Sequence, residues 1–251
     1  MADPLLRVDH VSQRFGGLLA VNAASFEVEP QSITALIGPN GAGKTTLFAI
    51  IAGFLNPSEG RVYFADQEIT GVEPHRLARL GLVRTFQIVQ PFATLTVRDN
   101  IAVGAHLHHR DRGAALDVAE TIARQLGLGK FLDHLAGSLT VSGRKRLELA
   151  RALAAAPRLL LLDEVMAGLN PSEVRDLLPV IRDISRGGTT ILLIEHVMQA
   201  VMNLSDRIHV LAEGRIIASG KPEDVVDNEE VIEAYLGEGA ARQYGTSERP
   251  S

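Results

Sequence analysis

Several residue types and patterns are missing from this sequence. It contains no cysteine and no tryptophan, and aromatic residues make up only 4% of its 251 positions. The lack of cysteine excludes disulfides and thiolate metal sites, and it is compatible with a reducing compartment. No apolar run approaches the roughly 20 residues of a membrane-spanning helix. The N-terminus has no basic segment followed by an apolar core, so we expect neither a membrane span nor a secretory signal.

The sequence also lacks an excess of basic residues. Its net charge is −5 and its isoelectric point is about 5.9, whereas nucleic-acid-binding domains usually carry a basic face. We therefore expect no nucleic-acid partner. Apolar residues make up 46% and charged residues 22% of the chain. A chain of this composition and length buries a core as one large domain, or as one domain with a subdomain.

The most informative segment is rich in glycine. Residues 38–46 read GPNGAGKTT and match G-x-x-x-x-G-K-[ST], a pattern whose backbone N–H groups cradle phosphate oxygens. In it, Lys44 reaches the β- and γ-phosphates of a nucleotide, and Thr45 gives its hydroxyl to Mg²⁺. The flanking residues fit, because 33–37 read as a buried strand and 46–52 as a helix. We predict a site for a nucleoside triphosphate and Mg²⁺ at Gly38, Pro39, Asn40, Gly41, Ala42, Gly43, Lys44, Thr45 and Thr46.

One of the few aromatic residues, Phe15, lies on a glycine-marked turn upstream of this loop. Taken alone, it is more simply explained as a core residue. A nucleotide site downstream favours a second interpretation, in which a base stacks on the ring with a gain of about 1–3 kcal/mol. We predict that Phe15 supports the adenine ring.

Two apolar runs end in residues with catalytic chemistry. Residues 158–162 read as a buried strand followed by Asp163 and Glu164, and residues 189–194 read as a strand followed by Glu195 and His196. Ligands of α/β sheets bind beyond the carboxyl ends of the strands. We therefore expect Asp163 to hold Mg²⁺, directly or through water, Glu164 to polarise the attacking water, and His196 to donate to the γ-phosphate. The simpler alternatives are acids that cap a strand and a structural histidine.

The remaining sequence alternates between strand and helix patterns. We predict a hairpin over 60–69 and strands over 5–10, 24–28, 82–86, 207–211 and 215–218. We predict helices over 74–80, 97–109, 114–126, 139–155, 171–186 (with Asn170 as N-cap), 222–226 and 229–236. The pattern is typical of an α/β core (residues 1–87 and 157–236) with a β-rich entry region. A mostly helical subdomain is inserted at 88–156, and 237–251 form a flexible tail.

In this order, these segments resemble the ATP-binding subunit of an ABC transporter. The likeness covers residues 5–236, nearly the whole chain. It depends on the loop at 38–45, on Gln87 after Arg-Thr-Phe, on residues 139–153, on the strand that ends in Asp163 and Glu164, and on His196. Within the family the chain looks most like the ATPase of branched-chain amino-acid importers, because of FGG at 15–17, AGLNP at 167–171 and VIEAYLG at 231–237.

The resemblance implies a P-loop NTPase fold of ABC ATPase architecture, with a mixed or parallel sheet, an N-terminal antiparallel β region and a helical subdomain insert. It implies ATP and Mg²⁺ as cofactors. Two ATPase subunits, identical or different, would close head to tail around two ATPs and drive transmembrane permease subunits, served indirectly by a periplasmic or extracellular solute-binding protein. The subunit would sit peripherally on the cytoplasmic face of the inner membrane. Gln87 would link the Mg²⁺ and water site to the helical insert.

The signature segment of the family, usually Leu-Ser-Gly-Gly-Gln, is altered here. Without gaps, this chain has LTVSG at 139–143, so that Thr140 keeps a hydroxyl while Ser142 and Gly143 replace glycine and glutamine. We expect these three residues to face the γ-phosphate of the partner's ATP. Val165, Asn170 and Val197 stand where proline and two acids are usual. These departures suggest a divergent branch with altered coupling or slower turnover.

Other functions remain open from sequence alone. The ATPase of an exporter of lipid or envelope components shares the general layout. A nucleic-acid-linked ABC ATPase is less favoured, because the chain shows no heptads and no second phosphate loop. A P-loop kinase or GTPase would not need the helical insert, the signature-like segment or His196.

Overall fold

The computed structural model describes residues 3–85 and 90–236. Gln87 and the tail at 237–251 lie outside these residues, so the predictions made for them stay predictions. The strands, numbered in chain order, are β1 (Leu6–Phe15), β2 (Leu18–Val28), β3 (Ile33–Ile37), β4 (Glu59–Phe64), β5 (Gln67–Glu68), β6 (Leu82–Arg84), β7 (Leu159–Asp163), β8 (Thr190–Ile194), β9 (Arg207–Ala212) and β10 (Arg215–Gly220). The α-helices are α1 (Lys44–Ile51), α2 (Pro74–Leu80), α3 (Val97–Ala105), α4 (Arg112–Gln125), α5 (Val141–Ala154), α6 (Pro171–Arg186), α7 (Met198–Leu204), α8 (Pro222–Val226) and α9 (Glu229–Leu236).

The chain divides into two compact units. The first consists of residues 1–72 and 192–251, and the second of residues 73–191. The division falls within β8. The predicted limits of the core and of the helical subdomain differ from these limits and stay a prediction.

The first unit contains an antiparallel sheet of four strands in the order β2-β1-β4-β5. The β1–β2 pairing runs from Leu6 opposite Val28 to Phe15 opposite Leu18. This sheet is the antiparallel N-terminal region that the sequence predicts. Both strands are longer than predicted, because cross-strand pairing carries them to the turn at Gly16 and Gly17.

A second group of strands in the first unit leads into the phosphate loop. β3 lies parallel to β9, and β9 lies antiparallel to β10. All five residues of β3 are buried, as the apolar run predicts for a strand covered on both faces. At its start, the amide of Ile33 donates to Asp206 Oδ2 at 2.8 Å. The glycine-rich loop therefore follows directly from a strand whose position is fixed.

This group of strands contains a buried histidine. His209 on β9 is 3% exposed, and its ring lies 4.9 Å from that of Phe26. Ser219 Oγ donates to His209 Nδ1 at 2.7 Å, and Nε2 donates to Glu27 O at 3.2 Å. Burial lowers the pKa of His209 to about 4, although the bond to Glu27 favours the protonated form. The side chain is therefore neutral near pH 7.

The second unit pairs β6 with β7 in parallel and packs α3, α4 and α5 together through buried residues such as Ile101, Ala119 and Leu147. Each of these three helices begins at a residue whose side chain caps it. Asp111 accepts from Ala114 N at the start of α4, and Thr140 accepts from Gly143 N at the start of α5. These bonds satisfy amides that have no partner within the helix.

The helices predicted over 74–80, 171–186, 222–226 and 229–236 are confirmed. Asn170 caps α6 in a reciprocal arrangement with Glu173. Two predicted helices were too long. α3 ends at Ala105, where the chain turns through the bond from Leu107 N to Gly104 O, and α5 starts only at Val141, because Thr140 is extended. α7 was not predicted.

Candidate nucleotide site

In the first unit, the glycine-rich loop leads from β3 directly into α1. Gly38, Gly41 and Gly43 have φ values of 151°, 80° and 103°, which side chains with a Cβ rarely adopt. Gly43 is also the N-cap of α1, and its carbonyl accepts from Leu47 N at 2.9 Å. The predicted order of strand, loop and helix is thus confirmed.

Two of these glycines have no room for a side chain. A Cβ on Gly38 would lie 1.9 Å from Leu211 O, and one on Gly43 would lie 2.3 Å from Ala20 O. The loop is therefore held between the backbones of β9 and β2. The amide of Gly214 adds a hydrogen bond to Ala42 O at 3.0 Å. The backbone of the loop is therefore closely confined by its neighbours.

Lys44 folds back over this loop. It is 6% exposed, and its Nζ donates to Gly38 O at 2.7 Å and to Pro39 O at 2.9 Å. The loop residues that remain exposed are Asn40, Gly41 and Thr45, so they are the ones open to a ligand. Thr46 is half-buried.

The first unit also contains the predicted aromatic and histidine residues. Phe15 is 48% exposed at the end of the β1–β2 hairpin, so the interpretation of this residue as core is wrong. His196 is exposed just after β8. The nucleotide roles of both residues stay predictions.

The C-terminal helix of the first unit reaches the loop as well. Burial raises the pKa of Tyr235 on α9, and a hydrogen bond with the backbone of Gly38 opposes that rise. This contact was not predicted. From sequence, the segment that contains Tyr235 indicates only the likeness to branched-chain amino-acid importers.

In the second unit, Asp163 forms an ion pair with a basic side chain. Arg84 Nη2 donates to Asp163 Oδ2 at 2.6 Å, with only 10% and 4% of the two side chains exposed. Arg84 ends β6 and Asp163 ends β7, and the two strands are parallel, so their carboxyl ends meet at one edge. Sequence reasoning missed Arg84, although a charged residue in the middle of the strand predicted over 82–86 was a usable signal.

Glu164 follows Asp163 in an unusual backbone conformation. Its φ is 47°, a left-handed value that costs a residue with a Cβ about 1–3 kcal/mol and often marks a functional site. Its carbonyl accepts from Lys145 Nζ at 3.3 Å, and Lys145 is 5% exposed on α5. The helix that starts at the signature segment is thereby joined to the residue predicted to serve the water.

The signature segment forms the first turn of α5. Thr140 is the N-cap, and its Oγ1 accepts from Gly143 N at 3.1 Å. Val141 is 56% exposed, whereas Ser142 and Gly143 are half-buried. The hydroxyl that Thr140 keeps therefore has a structural use in the subunit alone.

The structure thus joins some predicted residues and not others. It brings Lys44 onto Gly38 and Pro39 in the first unit. In the second unit it places Asp163 beside Arg84 and Glu164 beside Lys145. Gln87 lies outside the described residues.

Comparison with known proteins establishes the class. A family model described as ABC transporter matches residues 21–167, and one described as branched-chain amino acid ATP-binding cassette transporter matches residues 215–241. The chain therefore belongs to the ABC transporter family of ATP-binding proteins, and it is an ABC-type ATPase.

Its relatives are more specific. The high-affinity branched-chain amino acid transport ATP-binding protein LivG of Escherichia coli (strain K12) is 43% identical over 254 residues, which cover 95% of this chain and 100% of LivG. The branched-chain amino acid transport ATP-binding protein BraF of Pseudomonas aeruginosa is 41% identical with the same coverage. The crystal structure of the ADP conformation of an ATP-binding cassette of an ABC transporter has a TM-score of 0.86 at 33% identity, over 94% of this chain and 100% of that one.

These likenesses confirm the predicted ABC ATPase architecture and show that the fold binds nucleotide. A further solved structure, with a TM-score of 0.83 at 27% identity over 92% of this chain and 94% of that one, is described as part of an ABC transporter complex. Within residues 3–85 and 90–236, no helix combines the length and apolar character needed to cross a bilayer.

Proposed function

We propose that this chain is the ATP-hydrolysing subunit of an ABC importer for branched-chain or related amino acids. One observation carries the proposal. Lys44 is folded into a loop whose Gly38 and Gly43 admit no other residue, in a chain 43% identical to LivG over 95% of its length. The family match at 215–241 supports the amino-acid cargo and favours the importer over the exporter of lipid or envelope components.

The phosphates of ATP would bind at residues 38–46. Lys44 would exchange its bonds to the loop carbonyls for bonds to the β- and γ-phosphates. Phe15 would support the adenine, and its exposure of 48% supports that role.

The residues present fit Mg²⁺. The Thr45 hydroxyl and the Asp163 carboxylate are oxygen donors, which this hard cation prefers alongside phosphate oxygens and water, and Gln87 would add a third. Bound Mg²⁺ supplies neutralisation of charge on the β- and γ-phosphates. Asp163 and Thr45 would hold the ion on the nucleotide.

Glu164 and His196 would complete the catalytic residues. The Glu164 carboxylate would orient and polarise the attacking water, and its strained backbone supports a functional role. His196 would donate to the γ-phosphate. Catalysis would consist of positioning and charge stabilisation.

A second ATPase subunit would complete the site. Thr140, Ser142 and Gly143 at the start of α5 would face the γ-phosphate of the partner's ATP, where the helix terminus favours an anion. Exposed apolar side chains of the second unit support docking on permease subunits: Phe92, Leu95, Val103 and Leu135. The subunit would lie peripherally on the cytoplasmic face of the inner membrane. A solute-binding protein would deliver the cargo, and no nucleic acid would take part.

Glu164→Gln tests the catalytic assignment. The variant should bind ATP, dimerise and hydrolyse almost nothing, because an amide cannot polarise water as a carboxylate does. Hydrolysis is measured by phosphate release, and dimerisation by light scattering after size exclusion. Glu59→Gln, an exposed carboxylate on β4, is the matched control and should behave as wild type. Near-normal turnover in Glu164→Gln would remove Glu164 from its role.

The cargo is tested by uptake. Cells that lack their own branched-chain amino-acid importer receive this subunit with the permease genes encoded beside it, and entry of labelled leucine is measured. Wild type should restore uptake and Lys44→Ala should not. ATP hydrolysis without uptake of any branched-chain amino acid would favour the exporter.

A further inference from the structure

The ion pair between Arg84 and Asp163 engages a carboxylate that the proposed function assigns to Mg²⁺. The Nη2–Oδ2 distance is 2.6 Å, and both side chains are almost entirely shielded from water. Charged pairs at this distance and depth are screened little by solvent ions. The guanidinium and the metal would therefore act on the same buried negative charge.

The backbone holds the pair in place. Thr85 follows Arg84, and its amide donates to Leu161 O at 2.9 Å. The Thr85 hydroxyl lies 3.3 Å from both Leu161 O and the amide of Asp163. Because Thr85 is 2% exposed, these bonds fix the ends of β6 and β7 relative to each other. The approach of Arg84 to Asp163 is thus built into the strand pairing.

The guanidinium also borders free space. Arg84 lines a cavity of about 190 Å³ together with Glu148 and Arg151 of α5 and Gly104 of α3. Glu148 places a second carboxylate in the wall of this cavity. Arg84 therefore has space beside it, in a cavity whose wall also contains an acidic residue and a second basic one.

We infer that Arg84 is a positioning residue that sets the metal affinity of the nucleotide site by competing with Mg²⁺ for Asp163. This inference rests on the proposed function. While the Arg84 guanidinium is bound to Asp163, the affinity of this carboxylate for a second cation should be lower by about tenfold. Before Mg²⁺ and the nucleotide bind, Arg84 neutralises the charge of the Asp163 carboxylate and holds its orientation. When Mg²⁺ binds, the ion pair between Arg84 and Asp163 breaks.

Metal titrations test the inference without relying on turnover. Wild type, Arg84→Gln and Arg84→Lys are saturated with a non-hydrolysable ATP analogue and titrated with Mn²⁺, and free Mn²⁺ is followed by electron paramagnetic resonance. The half-saturating Mn²⁺ concentration should fall about tenfold in Arg84→Gln, which loses the charge, and stay within threefold of wild type in Arg84→Lys. Arg98→Gln is the matched control, because Arg98 pairs with Glu120 and Asp133 instead, and it should not change the titration.

A spectroscopic measurement on wild type keeps the inference testable if Arg84→Gln does not fold. The slowly rotating guanidinium resonances of Arg84, assigned by their loss in Arg84→Lys, should be present in the apo protein. They should collapse when Mg²⁺ and the analogue are added together, but not when either is added alone. Resonances that persist in the loaded protein would overturn the inference.

The outcomes separate the two claims. Arg84→Gln that binds the analogue with wild-type metal dependence overturns the role of Arg84 and leaves the proposed function intact. Equal destabilisation of Arg84→Gln and Arg98→Gln with no change in metal affinity does the same. Wild type that binds no nucleotide at any metal concentration overturns both.

Discussion

Replacing Gly38 by alanine tests how the phosphate loop is held. The new Cβ would lie 1.9 Å from Leu211 O, against 3.4–4 Å for an ordinary contact. Leu211 is fully buried on β9, and the contacted atom belongs to the backbone, so no flexible side chain can move aside. The loop, the strand or both must shift by at least about 1 Å.

The cost has two parts. Overpacking in a well-packed region costs about 1–3 kcal/mol, and an L-residue at positive φ costs about 1–2 kcal/mol. Gly38→Ala should therefore lower the free energy of unfolding by about 2–5 kcal/mol. The matched control is Gly41→Ala in the same loop. Its φ is 80°, but a Cβ there meets nothing within 4 Å, so only the conformational cost of about 1–2 kcal/mol applies.

Urea unfolding of the two variants and wild type measures the difference, and titration with a fluorescent ADP analogue reports on the loop. Gly38→Ala should be less stable than Gly41→Ala and should lose nucleotide binding, because the displaced backbone no longer matches the phosphates. Equal stabilities for the two variants, or normal binding by Gly38→Ala, would refute the claim that β9 fixes the loop.

Two further predictions concern a pair of helix caps and a buried histidine. Thr140→Ala and Asn170→Ala should each cost about 1 kcal/mol of unfolding free energy, yet only Thr140→Ala should weaken ATP-driven dimerisation, as followed by light scattering; equal dimerisation of the two would contradict the role of Thr140. The pKa of His209 falls to about 4 on folding, below its usual value of about 6.5, so the unfolded chain takes up the proton first. The contribution of His209 to the free energy of unfolding is therefore present above about pH 6.5 and is lost as the pH falls to about 4. The loss between pH 6.5 and 5 should be about 2 kcal/mol. Urea unfolding at both pH values should show this loss in wild type and less of it in His209→Gln; identical pH dependence would contradict the assignment.

Elements with local signals were predictable. α2, α6 and α8 each begin with proline, which fixes the first turn of a helix, and their predicted limits are confirmed. α7 has no such signal, because its N-cap Val197 makes no side-chain cap bond and its sequence is short and apolar. It forms because Ala200, Val201 and Leu204 are buried, and that burial depends on distant parts of the chain.

In the candidate site, too, local sequence predicts some residues, whereas others depend on contacts between distant parts of the chain. The phosphate loop was predictable, since its chemistry lies within nine consecutive residues and needs only a strand before it and a helix after it. Arg84 and Asp163 are 79 positions apart, so their contact exists only after β6 and β7 pair. The contact of Tyr235 with Gly38 likewise depends on how α9 folds back. Sequence patterns show which residues carry chemistry, whereas tertiary pairing decides which neighbours tune them.

The position of Lys44 bears on how quickly a nucleotide is captured. Its ammonium group is bonded to two carbonyls of the loop, so the protein itself orders the loop and the incoming phosphates do not have to. Ordering costs are the usual penalty on association, and here they have been met during folding. The phosphates only have to replace two neutral carbonyl oxygens as hydrogen-bond partners of Lys44. Nucleotide binding should therefore be fast and limited by diffusion, and nucleotide release should be the slower step.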